Sequence, residues 1–105
     1  LLPAVIENNA SSCGKKYAQL ARAAGMGGSA DTVALRNLKN GLIRLRRELG
    51  LPQSLTQAGV APGKIWGAMG EIVESVLGDP CCKTNPIPVE DFQVRRILEE
   101  VTGHL

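Results

Sequence analysis

The stretch that decides the fold is SADTVALRNLKNGLIRLRRELGLP, residues 29–52. Five leucines recur in it at steps of three or four residues, which places them on one side of a helix: Leu35, Leu38, Leu42, Leu45 and Leu49. Burying each such side chain contributes roughly 1.5–3 kcal/mol, so we expect the rest of the chain to cover this stripe. Ser29 is the predicted N-cap of the helix. Gly50, with Pro52 two residues later, predicts a Schellman-type end.

Length and composition limit the possible classes of protein. The 105 residues, 44% of them hydrophobic, are enough for one folded domain with a modest core. The net charge of +2 indicates no electrostatic partner, and we expect no binding of nucleic acid. No apolar run approaches the ~20 residues that span a bilayer, so we expect no membrane association. The chain starts on Leu1 inside an apolar segment, which indicates either a piece of a longer protein or a mature form with its leader removed; we favour the piece.

Four further segments carry apolar residues at helical spacing. We expect helices at about 1–9, 13–24, 62–77 and 89–102, with Asn9 ending the first and Ser11 or Ser12 capping the second. In the connector after residue 52, Leu55 and Val60 are the predicted buried anchors. No stretch alternates apolar and polar residues long enough for a strand. The predicted architecture is therefore an all-α bundle of four to five helices.

The loop GDPCCKTNPIP, residues 78–88, is the strongest candidate for a functional segment. Its three prolines predict an extended and rigid backbone, because each proline fixes its own φ and restricts the residue before it. Asp79 is expected to accept hydrogen bonds from backbone N–H groups, and Asn85 to close an Asx turn before Pro86. A purely structural turn and a functional loop both remain open on these residues alone.

The other chemistry-bearing residues suggest no catalytic or metal site. Three cysteines, two of them adjacent, make neither a disulfide framework nor a zinc motif, and they fit a reducing, cytoplasmic setting. His104, next to the C-terminal residue, is assigned no role. No glycine-rich phosphate-binding motif is present. Five cations of the leucine helix are interpreted as a solvated or domain-facing surface: Arg36, Lys39, Arg44, Arg46 and Arg47.

Four short motifs, in series, resemble the C-terminal region of the iron-dependent (group III) alcohol dehydrogenases. They have the family's order and spacing: LLPxVxxxN, GxKYxxLAxxxG, GLPxxLxxxGV and DxCxxxNP. Their residues here are Leu1, Leu2, Pro3, Val5 and Asn9; Gly14, Lys16, Tyr17, Leu20, Ala21 and Gly25; Gly50, Leu51, Pro52, Leu55, Gly59 and Val60; Asp79, Cys81, Asn85 and Pro86. Two departures occur, because the family's usual Thr before the last helix and its C-terminal aromatic residues are missing.

The resemblance implies a parent enzyme that transfers hydride between NAD(P)H and an alcohol or aldehyde, with Fe(II) as Lewis acid. In that family the nucleotide lies in an N-terminal α/β domain, and one Asp and three His upstream of LLP hold the metal. None of these ligands is in this sequence. Residues 1–105 would therefore be the distal part of the helical domain. We expect this chain to bind no iron and no NAD(P) and to be inactive alone.

In this interpretation the DxCxxxNP loop lines the active-site cleft. The cleft-lining candidates are Asp79, Cys81 and Asn85, with Cys81 nearest the coenzyme and substrate in a shaping rather than nucleophilic role. The expected partners are the N-terminal nucleotide-binding domain and upstream helices of the same chain, and an isolated chain is expected to self-associate through uncovered apolar surface. The alternative is a free-standing helical protein-interaction module that uses the basic leucine helix and is a monomer or one defined dimer.

Overall fold

The computed structural model describes residues 1–103 and contains four α-helices. They are α1 (Leu2–Ala23), α2 (Asp31–Glu48), α3 (Pro62–Leu77) and α4 (Asp91–Thr102), with a short 3-10 helix, Pro80–Thr84, between the last two. No strand occurs in these 103 residues, so the all-α prediction is confirmed. None of their helices has both the length and the apolar content to cross a bilayer. His104 lies outside the described residues.

The helices form two compact units, one of residues 2–51 and one of residues 52–103. In the first unit α1 packs on α2. The core of this unit is small, because three of its members are alanines without any solvent exposure. The buried members are Ile6, Ala18, Ala21, Ala34 and Leu38. Tyr17, Met26, Leu35 and Leu42 pack against them and remain partly exposed. Small side chains at the contact allow two helices to approach closely.

Helix α1 is continuous, so the predicted break between residues 9 and 13 is wrong. Neither Ser11 nor Ser12 is a cap, because both lie inside the helix. Asn9, which was expected to end a helix, is only 3% exposed. Pro3 is the second helical residue, where its missing N–H costs no hydrogen bond. The polar run 8–12 has weak intrinsic helix propensity, and packing of the buried positions on both sides of it outweighs that weakness.

The start of α2 differs from the prediction and its end agrees with it. Ala30, not Ser29, is the N-cap residue, and no side chain caps the helix. Instead, Arg22 reaches over the turn: its Nη2 donates to Asp31 Oδ1 at 2.7 Å. At the other end the N–H of Gly50 donates to the carbonyl of Arg47, and the next N–H donates to the carbonyl one residue earlier. Gly50 has φ +71°, so the Schellman-type end is confirmed.

The five leucines of α2 share one face, but only the first three are covered. Leu38 is buried, and Leu35 and Leu42 pack against the core of the first unit. Leu45 is 48% exposed and Leu49 is 64% exposed. The expectation that this chain buries the whole stripe is therefore wrong for its last two residues.

In the second unit α3 packs on α4. Its buried core consists of Ile65, Met69, Val73 and Val94, with Leu55, Val76, Val89 and Leu98 packed around them. The bounds of α3, Pro62–Leu77, agree with the prediction. Pro62 occupies the first turn, where no intrahelical N–H bond is lost, and Gly78 is the C-cap.

The connector between α2 and α3 is hydrogen-bonded to the C-terminal end of α4. The N–H of Leu55 donates to the carbonyl of Val101 at 2.9 Å, and Thr56 Oγ1 donates to the carbonyl of Thr102 at 3.0 Å. Leu55 packs against the core as predicted. Val60 is 36% exposed, so its predicted role as a buried anchor is wrong. These bonds hold residues 53–60 on the second unit without any regular secondary structure.

Helix α4 begins at Asp91 rather than near Val89. A capping box replaces the threonine that the family resemblance led us to look for. The Glu90 side chain accepts from the backbone of Gln93, and Gln93 Oε1 accepts from the N–H of Glu90 at 2.9 Å. Gly103, with φ +88°, ends the helix in the left-handed conformation.

Candidate functional site

The candidate cleft loop, residues 79–88, is more tightly turned than an extended segment. Residues Pro80–Thr84 form a 3-10 helix, so the predicted extended backbone is wrong at these positions. Pro80 is compatible with this turn because its fixed φ suits a helical first position. Asp79 caps it: Asp79 Oδ1 accepts from the N–H of Cys81 at 2.8 Å, which confirms the predicted backbone bond.

Local hydrogen bonds hold the rest of the loop. Cys82 Sγ donates to the carbonyl of Val76 at 2.8 Å and so ties the loop to the last turn of α3. Thr84 Oγ1 donates to the carbonyl of Cys81 at 3.0 Å. The Asn85 side-chain amide donates to the carbonyl of Ile87 at 3.0 Å, a bond in which it acts as donor rather than as the acceptor of an Asx turn. The loop is therefore braced on both sides of Cys81.

The two adjacent thiols differ in their surroundings. Cys82 is half-buried, whereas Cys81 is exposed. A hydrogen bond to the Asp79 carboxylate, followed by the negative charge of that carboxylate, raises the pKa of the Cys81 thiol above its ordinary value. A raised pKa lowers the fraction of thiolate, which is the nucleophilic form. The structure thus places Asp79 and Cys81 together, in an arrangement that favours the protonated thiol.

Removing the Asp79 side chain is expected to make Cys81 more reactive. In a Cys13→Ser/Cys82→Ser background, Asp79→Ala deletes both the hydrogen bond and the charge that favour the protonated thiol. The pKa of Cys81 then falls, so the midpoint of its alkylation profile moves to lower pH and the rate below that midpoint rises. Iodoacetamide labelling followed by mass spectrometry from pH 6 to 10 measures this shift.

Glu71→Gln is the matched control for the thiol experiment, since it removes an exposed carboxylate from α3 that does not contribute to the Cys81 pKa. Its alkylation profile should coincide with that of the parent background. Asp79→Asn, which keeps an acceptor and removes the charge, should lie between the two. An unchanged profile in Asp79→Ala would contradict the assignment of the Asp79–Cys81 interaction.

The basic cluster of α2 is mostly a solvated surface. Lys39 pairs with Glu7 at 3.2 Å on the neighbouring helix. Arg36, Arg44 and Arg47 are exposed, and none of them belongs to an ion pair within residues 1–103. No aromatic side chain lies among these positions in the sequence, so stacking on bases has no platform there.

A cavity that sequence analysis did not predict lies at the turn between α1 and α2. We call it the turn cavity; its volume is about 370 Å³ and its lining is Gly25, Met26, Gly27, Asn37, Asn40, Gly41 and Arg44. Asn37 donates to the carbonyl of Gly27 at 3.1 Å and so holds the turn against α2. The sequence signal for it is the glycine-rich segment 25–28, which by itself indicates only a flexible link.

The described residues do not fit a metal centre. Within residues 1–103 no group of three or more His, Cys, Asp or Glu side chains is arranged to hold a metal ion. Asp79 Oδ1 already accepts a hydrogen bond from the N–H of Cys81, and Cys82 Sγ already donates one to the carbonyl of Val76. An iron site of the kind that the family resemblance implies therefore has no ligand set in this part of the chain.

The described residues form an all-helical protein with a braced DxCxxxNP loop between its last two α-helices. Comparison with known proteins identifies the family. Residues 1–102 match the model of the Fe-containing alcohol dehydrogenase family, C-terminal, and the chain belongs to this family. The chain is also similar to an NADPH-dependent butanol dehydrogenase of Clostridium saccharobutylicum, with 24% identity over 98 residues. That match covers 93% of this chain and 25% of the relative, so the chain spans about a quarter of the relative's length.

Proposed function

We propose that residues 1–105 are the distal part of the C-terminal helical domain of an alcohol dehydrogenase that transfers hydride between NAD(P)H and an alcohol or aldehyde. The observation that carries the proposal is the family match, which extends over residues 1–102. The butanol dehydrogenase relative uses NADPH by name, and its much greater length leaves room for a nucleotide-binding domain before the matched region. A cytoplasmic location is part of the proposal, supported by the free thiols of all three cysteines.

The proposal divides the work of the enzyme between two parts of one polypeptide. Iron would bind upstream of Leu1, because residues 1–103 contain no metal ligand set, and NAD(P) would bind in the proposed upstream domain. When bound, a ferrous ion acts as a Lewis acid on the substrate oxygen. The residues of this chain would form one wall of the cleft, with Asp79, Cys81 and Asn85 as the lining candidates. No residue of this chain is proposed to be catalytic.

The geometry of the loop supports a shaping role. Asp79 and Cys82 brace the backbone around Cys81, so the backbone that carries the exposed thiol is held in place. The raised pKa of Cys81 disfavours a nucleophilic step. A cleft wall needs rigid placement more than reactivity, because small displacements of substrate-positioning groups reduce the rate strongly. The loop offers rigid placement rather than a reactive thiol.

Uncovered surface on both helical units supports the presence of further helices in the intact protein. Leu45 and Leu49 continue a buried stripe and are exposed. On α3, a Cβ added at Gly67 or Gly70 would point into open space as far as the described residues outside its own helix backbone are concerned, and nearby Trp66 is 43% exposed. Exposed apolar surface of this kind is typical of a face that contacts another part of a protein. Self-association of the isolated chain through it stays a prediction.

Activity should require the polypeptide upstream of Leu1. We expect the preceding coding sequence to supply a nucleotide-binding domain with the Asp and His ligands. That longer protein, loaded with Fe(II), should oxidise NADPH in the presence of butanal, whereas the 105-residue chain should not. The assay is the loss of absorbance at 340 nm. Metal analysis of the 105-residue chain after incubation with Fe(II) serves as an independent readout, with no stoichiometric binding expected.

Two substitutions in the longer protein separate a positioning role from a chemical one. Cys81→Ala should retain turnover within about tenfold of the parent enzyme, because the thiol is not proposed to react. Asp79→Ala should raise KM more than Cys81→Ala does, because it releases the braced turn. Glu71→Gln is the control on the neighbouring helix. Complete loss of activity in Cys81→Ala, or turnover by the 105-residue chain alone, would overturn the proposal.

A further inference from the structure

The turn cavity combines a glycine-rich wall with one cation and no acid among the described residues that line it. Its lining includes Gly25, beside which there is open space, and Gly27 and Gly41, which are covered on their Cβ sides by Arg22 and Met26. Arg44 is the only charged side chain among the described lining residues. A volume of about 370 Å³ lies at the lower end of the range for small-molecule sites, which is roughly 300–1,000 Å³. The cavity therefore suits a small ligand that carries negative charge.

Met26, one of the lining residues, packs against α2 at Gly41. A Cβ built on Gly41 would overlap the sulfur of Met26, so the glycine allows this close contact. Met26 also donates its N–H to the carbonyl of Ala21 at 2.8 Å, which continues the end of α1 into the turn. The turn is thus held by side-chain and main-chain contacts at once. A cavity held in this way needs little rearrangement to receive a ligand.

The donors on the α2 side of the cavity are available. Asn40 and Arg44 are four residues apart and share a helix face. Both are exposed, and the structure shows no hydrogen-bond or ion-pair partner for either within residues 1–103. Two other cations of the first helical unit, Arg22 and Lys39, are by contrast paired with Asp31 and Glu7. Arg44 thus keeps its five N–H donors free for a ligand.

Further positive charge lies along the same side of α2. Arg36 precedes Asn40 by one turn, and Arg47 follows Arg44 by about one turn. Both are exposed and outside the ion pairs described above. Glu48, four residues after Arg44, is the nearest acid in the sequence on this face and makes no ion pair with it. Three arginines and one acid leave a net positive charge along this side of α2, which includes the cavity residue Arg44.

We propose that the turn cavity binds the phosphate group of a small phosphomonoester, with Arg44 and Asn40 as the side-chain donors. A phosphate carries close to two negative charges at neutral pH and accepts from several donors at once, which suits an arginine fork beside an amide. The space beyond a bare phosphate ion would take a small organic group. This site belongs to the first helical unit alone and is independent of the proposed dehydrogenase activity.

Binding can be measured on the 105-residue chain labelled with ¹⁵N. Titration at pH 7.5 with phenyl phosphate, inorganic phosphate or phenylacetate, at constant ionic strength, should shift the side-chain amide of Asn40 and the backbone amides of Gly27 and Gly41. We expect saturation with phenyl phosphate, weaker saturation with inorganic phosphate, and no saturation with phenylacetate. Binding of phosphate and phenylacetate with equal affinity would overturn the assignment to phosphate.

Arg44→Gln should weaken phenyl phosphate binding roughly tenfold or more, since a hydrogen bond to a charged group is lost. Asn40→Ala, which keeps the charge, should weaken it by a smaller factor. Lys64→Gln removes the same charge from an exposed site in the other unit and is the matched control. The amide spectrum of α2 verifies that each variant is folded. Equal losses in Arg44→Gln and Lys64→Gln would show general charge attraction and would overturn the proposal.

Discussion

Ile65→Ala is expected to lower the free energy of unfolding of the second helical unit by about 2–5 kcal/mol, the range for removing a large aliphatic side chain from a core. Ile65 is 5% exposed and packs in the same cluster as Met69, Val73 and Val94. With only four buried members, this cluster cannot readily close the cavity that the substitution leaves. Urea unfolding followed by the fluorescence of Trp66, the chain's single tryptophan, measures the loss.

The control for this prediction is Leu77→Ala on the same helix. It removes the same number of carbon atoms from a side chain that is 41% exposed. Most of the lost surface was already in water, so we expect a destabilisation below about 1 kcal/mol. Comparable losses in the two variants would mean that the Ile65 cluster is not the core of this unit.

The parts of the fold that sequence predicted well have strong local signals at their ends. Pro62 and Gly78 bracket α3, and both act through backbone geometry that needs no tertiary partner. Gly50 ends α2 for the same reason, since the left-handed conformation there favours glycine over every other residue. In these places the local preference and the final structure agree.

Sequence reasoning failed where packing competes with a local preference. The run 8–12 has two asparagines and two serines, which favour turns and caps, and yet α1 continues through it. Ala18 and Ala21 are fully buried, whereas Leu20 between them is 58% exposed. A hydrophobicity scale ranks these residues in the opposite order. The close approach of α1 and α2, which no single-sequence pattern shows, determines which of them is buried.

The candidate site was predicted in part. We predicted that Asp79 accepts a hydrogen bond from a backbone N–H, and the structure confirms this bond. The 3-10 helix did not follow, because proline fixes φ but leaves ψ free to choose between an extended and a helical backbone. The turn cavity was missed because it depends on how Met26 lies over Gly41, a contact across fifteen positions of sequence.

Ala21→Leu is expected to destabilise the first helical unit by about 1–3 kcal/mol, the usual cost of overpacking, and to separate α1 from α2 if the strain exceeds that range. Ala21 has no exposed surface and lies with Ala18 and Ala34 where the two helices meet. A leucine there adds three carbon atoms to a contact built from single methyl groups. Thermal unfolding followed by far-UV circular dichroism measures the loss, with the amide spectrum of α2 reporting on the contact itself.

Ala23→Leu makes the same chemical change two residues later, at an exposed position of the same helix. Alanine and leucine are both strong helix formers, so the difference in intrinsic propensity is small at either site. The control should therefore unfold within about 0.5 kcal/mol of the parent chain. Because propensity contributes little, a larger loss in Ala21→Leu measures the closeness of the two helices. An Ala21→Leu variant as stable as Ala23→Leu would show that α1 and α2 are not in close contact in solution.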